Sequence, residues 1–394
     1  MPRWIETTDG QVTQARARAG NIVVIAAVSM AVVAACAAFA VDIGYMSLTK
    51  SQLQNAADAA ALSAGMKMID GLGPKPIAST TVATNARQDA VTVAGQNAAG
   101  DLSAVYLDGS SDVELGRRVW NSANQTWGES WGTTPYDLIR VTARRNQADS
   151  INGDRTLPLF FAPVLGSKAA SITVSATATV SPGGGFRIPT GSGVTAPVLP
   201  IALDQPSWDL LLLGTGSDDY SYDPTTGAVT PGSDGIIEVS MYPNGTTSLP
   251  PGNRGTVDFG SSNNSTADLS RQIRYGLNES DLSYFPNGTL TTDNGPFQAN
   301  GDTGLSAGIK DDLASIIGQP RAIPLFTTVS GPGNNAMYTI VRFVGIRILH
   351  VQLTGSPSNK KVIIQPATLT SDTVLPGNGA STTTYIYSRL RLIH

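Results

Sequence analysis

Few residues in this chain have side chains suited to catalysis or to binding a transition metal. The sequence holds two histidines, His350 and His394, and one cysteine, Cys36. Zinc sites need several Cys or His ligands at short spacings, and these three residues stand far apart. A serine hydrolase would have to use His350 as its base, and we expect no nucleophilic serine to serve it. The chain is therefore predicted to have no catalytic residues and no enzymatic activity.

Two groups of aspartates raise the question of calcium binding. They are Asp218, Asp219 and Asp223 in one region and Asp302, Asp311 and Asp312 in another. Neither group has the ligand spacing of an EF-hand loop, and aspartates commonly hydrogen-bond to the backbone of turns instead. The glycines at 183–185 likewise lack the Lys-Ser/Thr ending of a phosphate-binding loop. We expect no metal and no cofactor.

The longest apolar stretch lies near the start of the chain. From Ile22 to Val41 the sequence has no charged residue, no proline and no glycine. About 20 helical residues, at about 1.5 Å each, cover the roughly 30 Å of a bilayer's hydrocarbon core. The sequence therefore predicts one transmembrane helix over residues 21–42.

The charges that flank this stretch predict its orientation. Arg16 and Arg18 lie just before it, so the positive-inside rule places residues 1–20 in the cytoplasm and the rest of the chain outside. The alternative is a cleaved signal peptide, because Ala38-Phe39-Ala40 resembles a signal-peptidase site. Signal peptides usually have apolar regions of about 7–15 residues, which favours a retained anchor here.

The composition excludes some classes of partner. A net charge of −4 gives no electrostatic footprint for nucleic acid. Charged residues make up only 14% of the chain, whereas its 41 glycines and 24 prolines favour a loop-rich, β-rich exterior. The single cysteine falls inside the predicted span, so no disulfide framework is expected.

The predicted helix does not stop at the membrane. Residues 43–69 are rich in helix formers, which predicts that the same helix continues outside the bilayer. Asp42 marks the exit, and Ala57, Ala60 and Ala64 follow at helical spacing with Asp58 beside them. This small-residue face allows close approach of another backbone. It would pack either on the protein's own sheet or, as a site of helix interaction, against a partner.

The remaining sequence predicts two mixed, β-rich extracytoplasmic domains, so the fold class is α+β. Residues 70–180 read as a helix at about 79–99 followed by antiparallel strands, with the apolar segment Leu157–Gly166 docked on the sheet. Residues 181–197, rich in Gly and Pro, read as an exposed linker. The pattern of residues 198–394 predicts a C-terminal domain of short strands with two helices.

The N-terminal pattern resembles the TadE/TadG-like proteins of the tight-adherence (Flp-type) pilus assembly system. The resemblance is carried by Arg18-Ala-Gly-Asn21, Ala40-Val-Asp-Ile-Gly44 and the run from Gln52 to Leu62. Looser similarity continues through Leu157–Val180 and from Gly252 to Leu353. This sequence has Ile25 where peptidase-processed members carry a glutamate, so processing at Gly20 is not expected. Asp108-Gly-Ser-Ser-Asp112 lacks the second serine of a von Willebrand-type metal site, so no such domain is expected.

The resemblance implies a structural protein of the bacterial cytoplasmic membrane, with its bulk outside the cell's cytoplasm. Its partners would be other pilus or envelope assembly proteins, or a second copy bound through the N-terminal helix. The alternative function is a ligand-binding or surface-sensing module carried by the C-terminal domain.

Overall fold

The computed structural model describes residues 19–242, 255–260, 265–302, 305–331, 335–356, 359–377 and 383–393. Most of the predicted cytoplasmic segment and His394 lie outside these ranges. Within them, a long N-terminal helix precedes a β-rich region of mixed sheets, so the predicted α+β class is confirmed.

The first helix, α1, runs from Ala19 to Met68 without interruption over 50 residues. It has no proline, and its residues are mostly alanines and other good helix formers. A turn of 3-10 helix at Ile69–Gly71 ends it. Among the described residues, α1 alone is long and apolar enough to cross a membrane, and none of its apolar window is buried within the chain. The predicted continuous helix is confirmed.

A second helix, α2 (Ser79–Gly95), and a five-stranded antiparallel sheet pack beside the C-terminal half of α1. Four strands of the sheet are β1 (Val113–Asn121), β2 (Thr126–Trp131), β3 (Leu138–Arg145) and β6 (Ile172–Thr179), and the fifth comes from the end of the chain. Strands β4 (Leu157–Pro158) and β5 (Ala169–Ala170) pair separately with each other. In β6 alternate side chains are buried, which is the pattern of a sheet with one covered face. The helices α1 and α2 cover that face, and their alanines form much of the shared core.

The C-terminal region is built from short strands around one long strand. The elements are β7 (Gly183–Arg187), β8 (Leu203–Asp204), α3 (Gln205–Leu212), β9 (Tyr220–Tyr222), β10 (Val229–Pro231), β11 (Val239–Tyr242), β12 (Thr256–Val257), α4 (Thr266–Tyr275), α5 (Glu279–Leu282), β13 (Thr289–Thr291), β14 (Phe297–Asp302), α6 (Lys310–Ala314), β15 (Pro320–Ser330), β16 (Ala336–Gln352), β17 (Lys361–Pro366), β18 (Leu369–Ser371), β19 (Val374–Pro376), β20 (Ile386–Ser388) and β21 (Arg391–Ile393). Short 3-10 turns occur at Pro286–Gly288 and Ala307–Ile309. The 17-residue β16 pairs with β14, β15 and β17, and buried side chains pack on both of its faces.

The predicted linker at 181–197 is wrong for its first half. Residues 183–187 form β7, which pairs with β13 and β19 and is buried apart from Arg187. A side chain on Gly184 would clash with Asp293 and Gly377, and one on Gly185 would clash with the Leu290 carbonyl. These glycines therefore permit close strand packing, a use of glycine distinct from chain flexibility.

The end of the chain also departs from the predicted division. Strand β21 pairs antiparallel with β6 and so completes the sheet of the N-terminal region. The two regions are also joined beside β7, because Ser181 N–H donates to Ser388 Oγ of β20 at 3.1 Å and Ser388 N–H donates to the Ser181 carbonyl at 2.8 Å.

The buried carboxyl of Asp137 lies directly before β3. Burial raises its pKa from 3.8 to about 7, although the Arg118 backbone N–H donates to Oδ1 at 2.6 Å and favours the charged form. The side chain is only 4% exposed, so desolvation outweighs that hydrogen bond.

Enlarging a buried alanine of α1 should destabilise the fold. Ala60 is fully buried, whereas its neighbour Ala59 is partly exposed. Ala60→Leu should lower the free energy of unfolding by about 1–3 kcal/mol, because the core has no room for three more carbon atoms. Ala59→Leu is the matched control and should change it by less than about 0.5 kcal/mol. Urea unfolding of the full chain in detergent, followed by tryptophan fluorescence, measures both, and equal effects would contradict the packing.

Stability should fall as pH rises through the range set by Asp137. Its folded pKa lies above its unfolded value, so the folded state binds the extra proton between about pH 4 and pH 7. The free energy of unfolding then decreases across that range, by about 1.4 kcal/mol for each unit of pKa difference. Asp137→Asn keeps an acceptor for Arg118 and should flatten this slope. Asp372→Asn, at an exposed ion pair, should leave the slope unchanged; an unchanged slope in Asp137→Asn would contradict the assignment.

Candidate functional site: the segment where the long helix leaves its apolar window

Asp42 holds a distant loop against α1. Its carboxylate accepts hydrogen bonds from three consecutive backbone N–H groups, those of Phe160 at 2.9 Å, Phe161 at 3.0 Å and Ala162 at 2.7 Å. The side chain is 2% exposed. Bonds from N–H groups to an ionised carboxylate are stronger than neutral ones, and three of them replace much of its lost hydration. The sequence predicted Asp42 as an exit marker, and the structure adds this intramolecular role.

The loop that Asp42 binds is a short hairpin with an apolar tip. Strands β4 and β5 pair at its base, and a turn of 3-10 helix at Ala162–Leu165 forms its tip. Phe160 packs against Tyr45 of α1 with ring centroids 5.1 Å apart. The prediction that Leu157–Gly166 docks on the sheet is wrong beyond Leu157, which is buried, because the following side chains lie beside α1 and are largely exposed.

A buried arginine supports the base of this hairpin. Arg145 is fully buried and donates to the carbonyls of Ala99 at 3.1 Å and Arg155 at 3.0 Å. It also pairs with Asp101 at 2.7 Å, and Arg155 pairs with the same carboxylate at 2.6 Å. These bonds satisfy a buried charge that would otherwise be costly. The bonds of Arg145 and Arg155 hold both ends of residues 146–154, the segment that leads into the hairpin.

The predicted helix-interaction face of α1 is used inside the chain. Ala57, Ala60 and Ala64 have no exposed surface and lie in the core shared with α2, β3 and β6. Of the two predicted alternatives, packing on the protein's own sheet is the one observed. These three alanines therefore offer no surface to a partner helix, because their small side chains already let α2 and the sheet approach α1 closely.

Asp58 is partly exposed and has a local partner. It accepts a hydrogen bond from Gln54 Nε2 at 2.8 Å, one helical turn earlier, and the same Gln54 amide donates to the Ser175 carbonyl at 3.1 Å. The pair thus connects α1 to β6. Asp58 does not lie with Asp42 in one site, since more than four helical turns separate them.

The residues considered for chemistry have structural contacts. His350 stacks on Tyr220 with ring centroids 5.5 Å apart, and burial lowers its pKa. Asp218 accepts from the backbone N–H groups of Asp234 and Gly235, as expected of an aspartate in a loop. Among the described residues, no three His, Cys, Asp or Glu side chains are grouped so as to hold a metal ion.

Sequence reasoning missed two motifs with the spacing Gly-x-Ser-x-Gly. Residues 128–132 read Gly-Glu-Ser-Trp-Gly, where Ser130 lies in β2 and its hydroxyl forms a hydrogen bond with that of Thr133 at 2.8 Å. Residues 304–308 read Gly-Leu-Ser-Ala-Gly, which matches the Gly-x-Ser-x-Gly spacing of a nucleophile elbow. Ser306 caps the 3-10 turn that follows, since its Oγ accepts from Gly308 N–H at 3.1 Å. A nucleophile needs a base within hydrogen-bonding reach. His350 Nε2 is buried and makes no hydrogen bond within the described residues, so it does not supply one to Ser306.

Comparison with known proteins bears on the same helix. Residues 20–67 match the model of the Tad family, described as Flp pilus-assembly TadE/G-like. No curated protein and no solved structure matches the chain. The matched segment coincides with α1 almost from end to end and includes Asp42. The predicted resemblance is therefore confirmed over the long helix, and it supports a membrane-anchored protein with a pilus-related role.

Proposed function

We propose that this protein is a non-catalytic structural component of an Flp-type pilus assembly system, anchored in the bacterial cytoplasmic membrane with its folded bulk outside. The observation that carries the proposal is the family match over residues 20–67. That segment is one continuous helix, which is both the candidate span and the central helix of a folded core.

A continuous helix fixes where the folded region lies relative to the membrane. Between Asp42 and Leu53, where the core begins, α1 has no break and no flexible linker. The helix backbone therefore fixes the height and direction of the domain relative to the bilayer, within the small bending that long helices allow. A protein that presents a docking surface to an assembling fibre needs this kind of fixed placement.

The orientation rests on the charges before the span. Arg16 and Arg18 would stay in the cytoplasm, which places everything after Asp42 on the other side. An exterior location also suits a chain with few charged residues and a β-rich fold. Partners would be other pilus or envelope assembly proteins. A second copy bound through the N-terminal helix would contact the apolar window of α1, since the face that contains Ala57 is buried within the chain.

The absence of catalysis is part of the proposal. Its support is that the candidate groups serve other ends: His350 stacks on a tyrosine, Ser306 caps a helical turn, and Cys36 lies in the apolar window of α1. The stacking of His350 and the capping by Ser306 favour a structural use of residues that could otherwise have acted as a base and a nucleophile.

Removal of the gene should reduce Flp-type pili on the host cell, and the wild-type chain should restore them.

The rigidity of α1 is tested at Gly44, where an added Cβ meets nothing within 4 Å. Gly44→Pro removes a helix hydrogen bond and costs about 3 kcal/mol locally, so it should fail to restore pili although the chain stays in the membrane. Gly44→Ala, the matched control, should restore them. Pili are counted by electron microscopy.

Two outcomes would contradict this account in different ways. Unchanged pili in the deletion strain would exclude the pilus-related role. Full restoration by Gly44→Pro would exclude the claim that a straight helix is needed. The fold of the Gly44→Pro chain is checked by its protease resistance in detergent.

A further inference from the structure

The tip of the β4–β5 hairpin exposes an unusual amount of apolar surface. The side chains of four residues are 46–87% exposed: Phe160, Phe161, Val164 and Leu165. Soluble surfaces seldom group large apolar side chains in this way without a partner. The group stands at one end of the domain, next to Asp42, where α1 enters its apolar window.

The hairpin tip runs alongside the candidate span. A groove of about 170 Å³ between them is lined by Ala35, Ala38, Phe39 and Asp42 on the helix and by Phe161, Ala162, Val164 and Leu165 on the hairpin. Seven residues separate Ala35 from Asp42, which is about 10 Å along a helix axis. Half of a bilayer's hydrocarbon core measures about 15 Å. The tip therefore extends beside α1 to a depth that lies within one leaflet.

The backbone of the tip suits an environment without water. Three N–H groups donate to Asp42, and Pro163 has no N–H. Val164 N–H donates to the Phe161 carbonyl at 3.1 Å, and Gly166 N–H donates to the Pro163 carbonyl at 3.0 Å. Unpaired backbone groups exclude ordinary loops from the hydrocarbon region. This loop has satisfied those donors internally.

From these observations we propose that the hairpin tip, residues 160–165, inserts into the hydrocarbon of the outer leaflet and forms a second membrane contact beside α1. Lipid is the occupant that the surface favours, because the exposed side chains continue the apolar surface of a span that must itself be lipid-covered. Lys168 is exposed next to the tip, where a cation can meet lipid phosphates. The inference rests on the proposed membrane anchorage of α1.

Fluorescence quenching by spin-labelled lipids tests this insertion. The chain's one cysteine is removed by Cys36→Ala, and an environment-sensitive dye is attached to Val164→Cys in the full chain. Met30→Cys reports the middle of the span, and Leu213→Cys, which is 82% exposed, reports an aqueous surface. Each protein is placed in phosphatidylethanolamine/phosphatidylglycerol vesicles with nitroxide on the headgroup, high on the acyl chain, or near the chain end.

Insertion predicts strong quenching of Val164→Cys by nitroxide high on the acyl chain, with loss of water exposure. Met30→Cys should respond most to the chain-end nitroxide, and Leu213→Cys to none. Quenching of Met30→Cys without acyl-chain quenching of Val164→Cys would overturn the insertion and leave the anchor intact. Quenching of Val164→Cys by the headgroup nitroxide alone would also overturn it. Loss of quenching at Met30→Cys would overturn the anchor and the insertion together.

Asp42 should control this insertion. Asp42→Asn replaces one acceptor oxygen with an N–H donor, so the three N–H groups of the tip can no longer all be satisfied. Acyl-chain quenching of Val164→Cys should then be lost. Asp58→Asn makes the same chemical change on the same helix but contacts Gln54, away from the hairpin, and should preserve it. Equal quenching in both variants would contradict the role of Asp42.

Discussion

Three hydrogen bonds from backbone N–H groups to the carboxylate of Asp42 join the apolar part of α1 to the folded part of the chain. Asp42 lies where the helix passes from exposed apolar residues to a packed core, a position where a bare carboxylate would be costly to desolvate. The N–H groups of Phe160, Phe161 and Ala162 satisfy it. In return, a hairpin about 120 residues away in sequence is held against the helix. Because these hydrogen bonds are made to a charged group, removing the carboxylate should weaken the attachment of the hairpin to α1.

Beyond Asp42 the surroundings of α1 change, because its apolar window is not buried within the chain whereas the residues from Leu53 onward pack in a protein core. Its alanines let α2, with Ala86 and Ala90, approach closely, and the sheet packs on another part of its surface. Such packing depends on small side chains, because each bulky one would force the elements apart. One sequence pattern, rich in alanine throughout, therefore serves both environments. The two halves of α1, before and after Asp42, differ in their charged residues and in how much of their surface is exposed, more than in helix propensity.

Local patterns predicted α1, α2 and the regular strands well, but the described part of residues 198–394 has four short helices, α3 to α6, where two were expected. The uninterrupted run of α1 and the alternation in β6 identify these elements because helix and strand periodicity is encoded in neighbouring residues. The pairing of β21 with β6 was beyond such reasoning, because it depends on residues about 200 positions apart. Gly183–Gly185 reads as a flexible linker until the neighbouring strands that exclude side chains there are known.

The candidate site was only half predictable for the same reason. Asp42 stood out as a charge at the end of an apolar run, but nothing local to it indicates the hairpin at 157–170. That hairpin was expected on the sheet because its side chains are apolar. In the structure they lie at the end of the domain nearest to the candidate span, where, in our proposal, lipid covers them. Sequence hydrophobicity alone does not distinguish a core from a membrane contact.

Amide hydrogen exchange at the hairpin tip tests the central claim most directly. In the full chain in detergent, the N–H groups of Phe160, Phe161 and Ala162 should exchange slowly compared with those of the exposed loop residues Gly193 and Val194. In Asp42→Asn the three amides should exchange at rates close to those of the loop, while Asp58→Asn keeps them slow. Equally fast exchange of these amides in the wild-type chain would contradict the proposed role of Asp42.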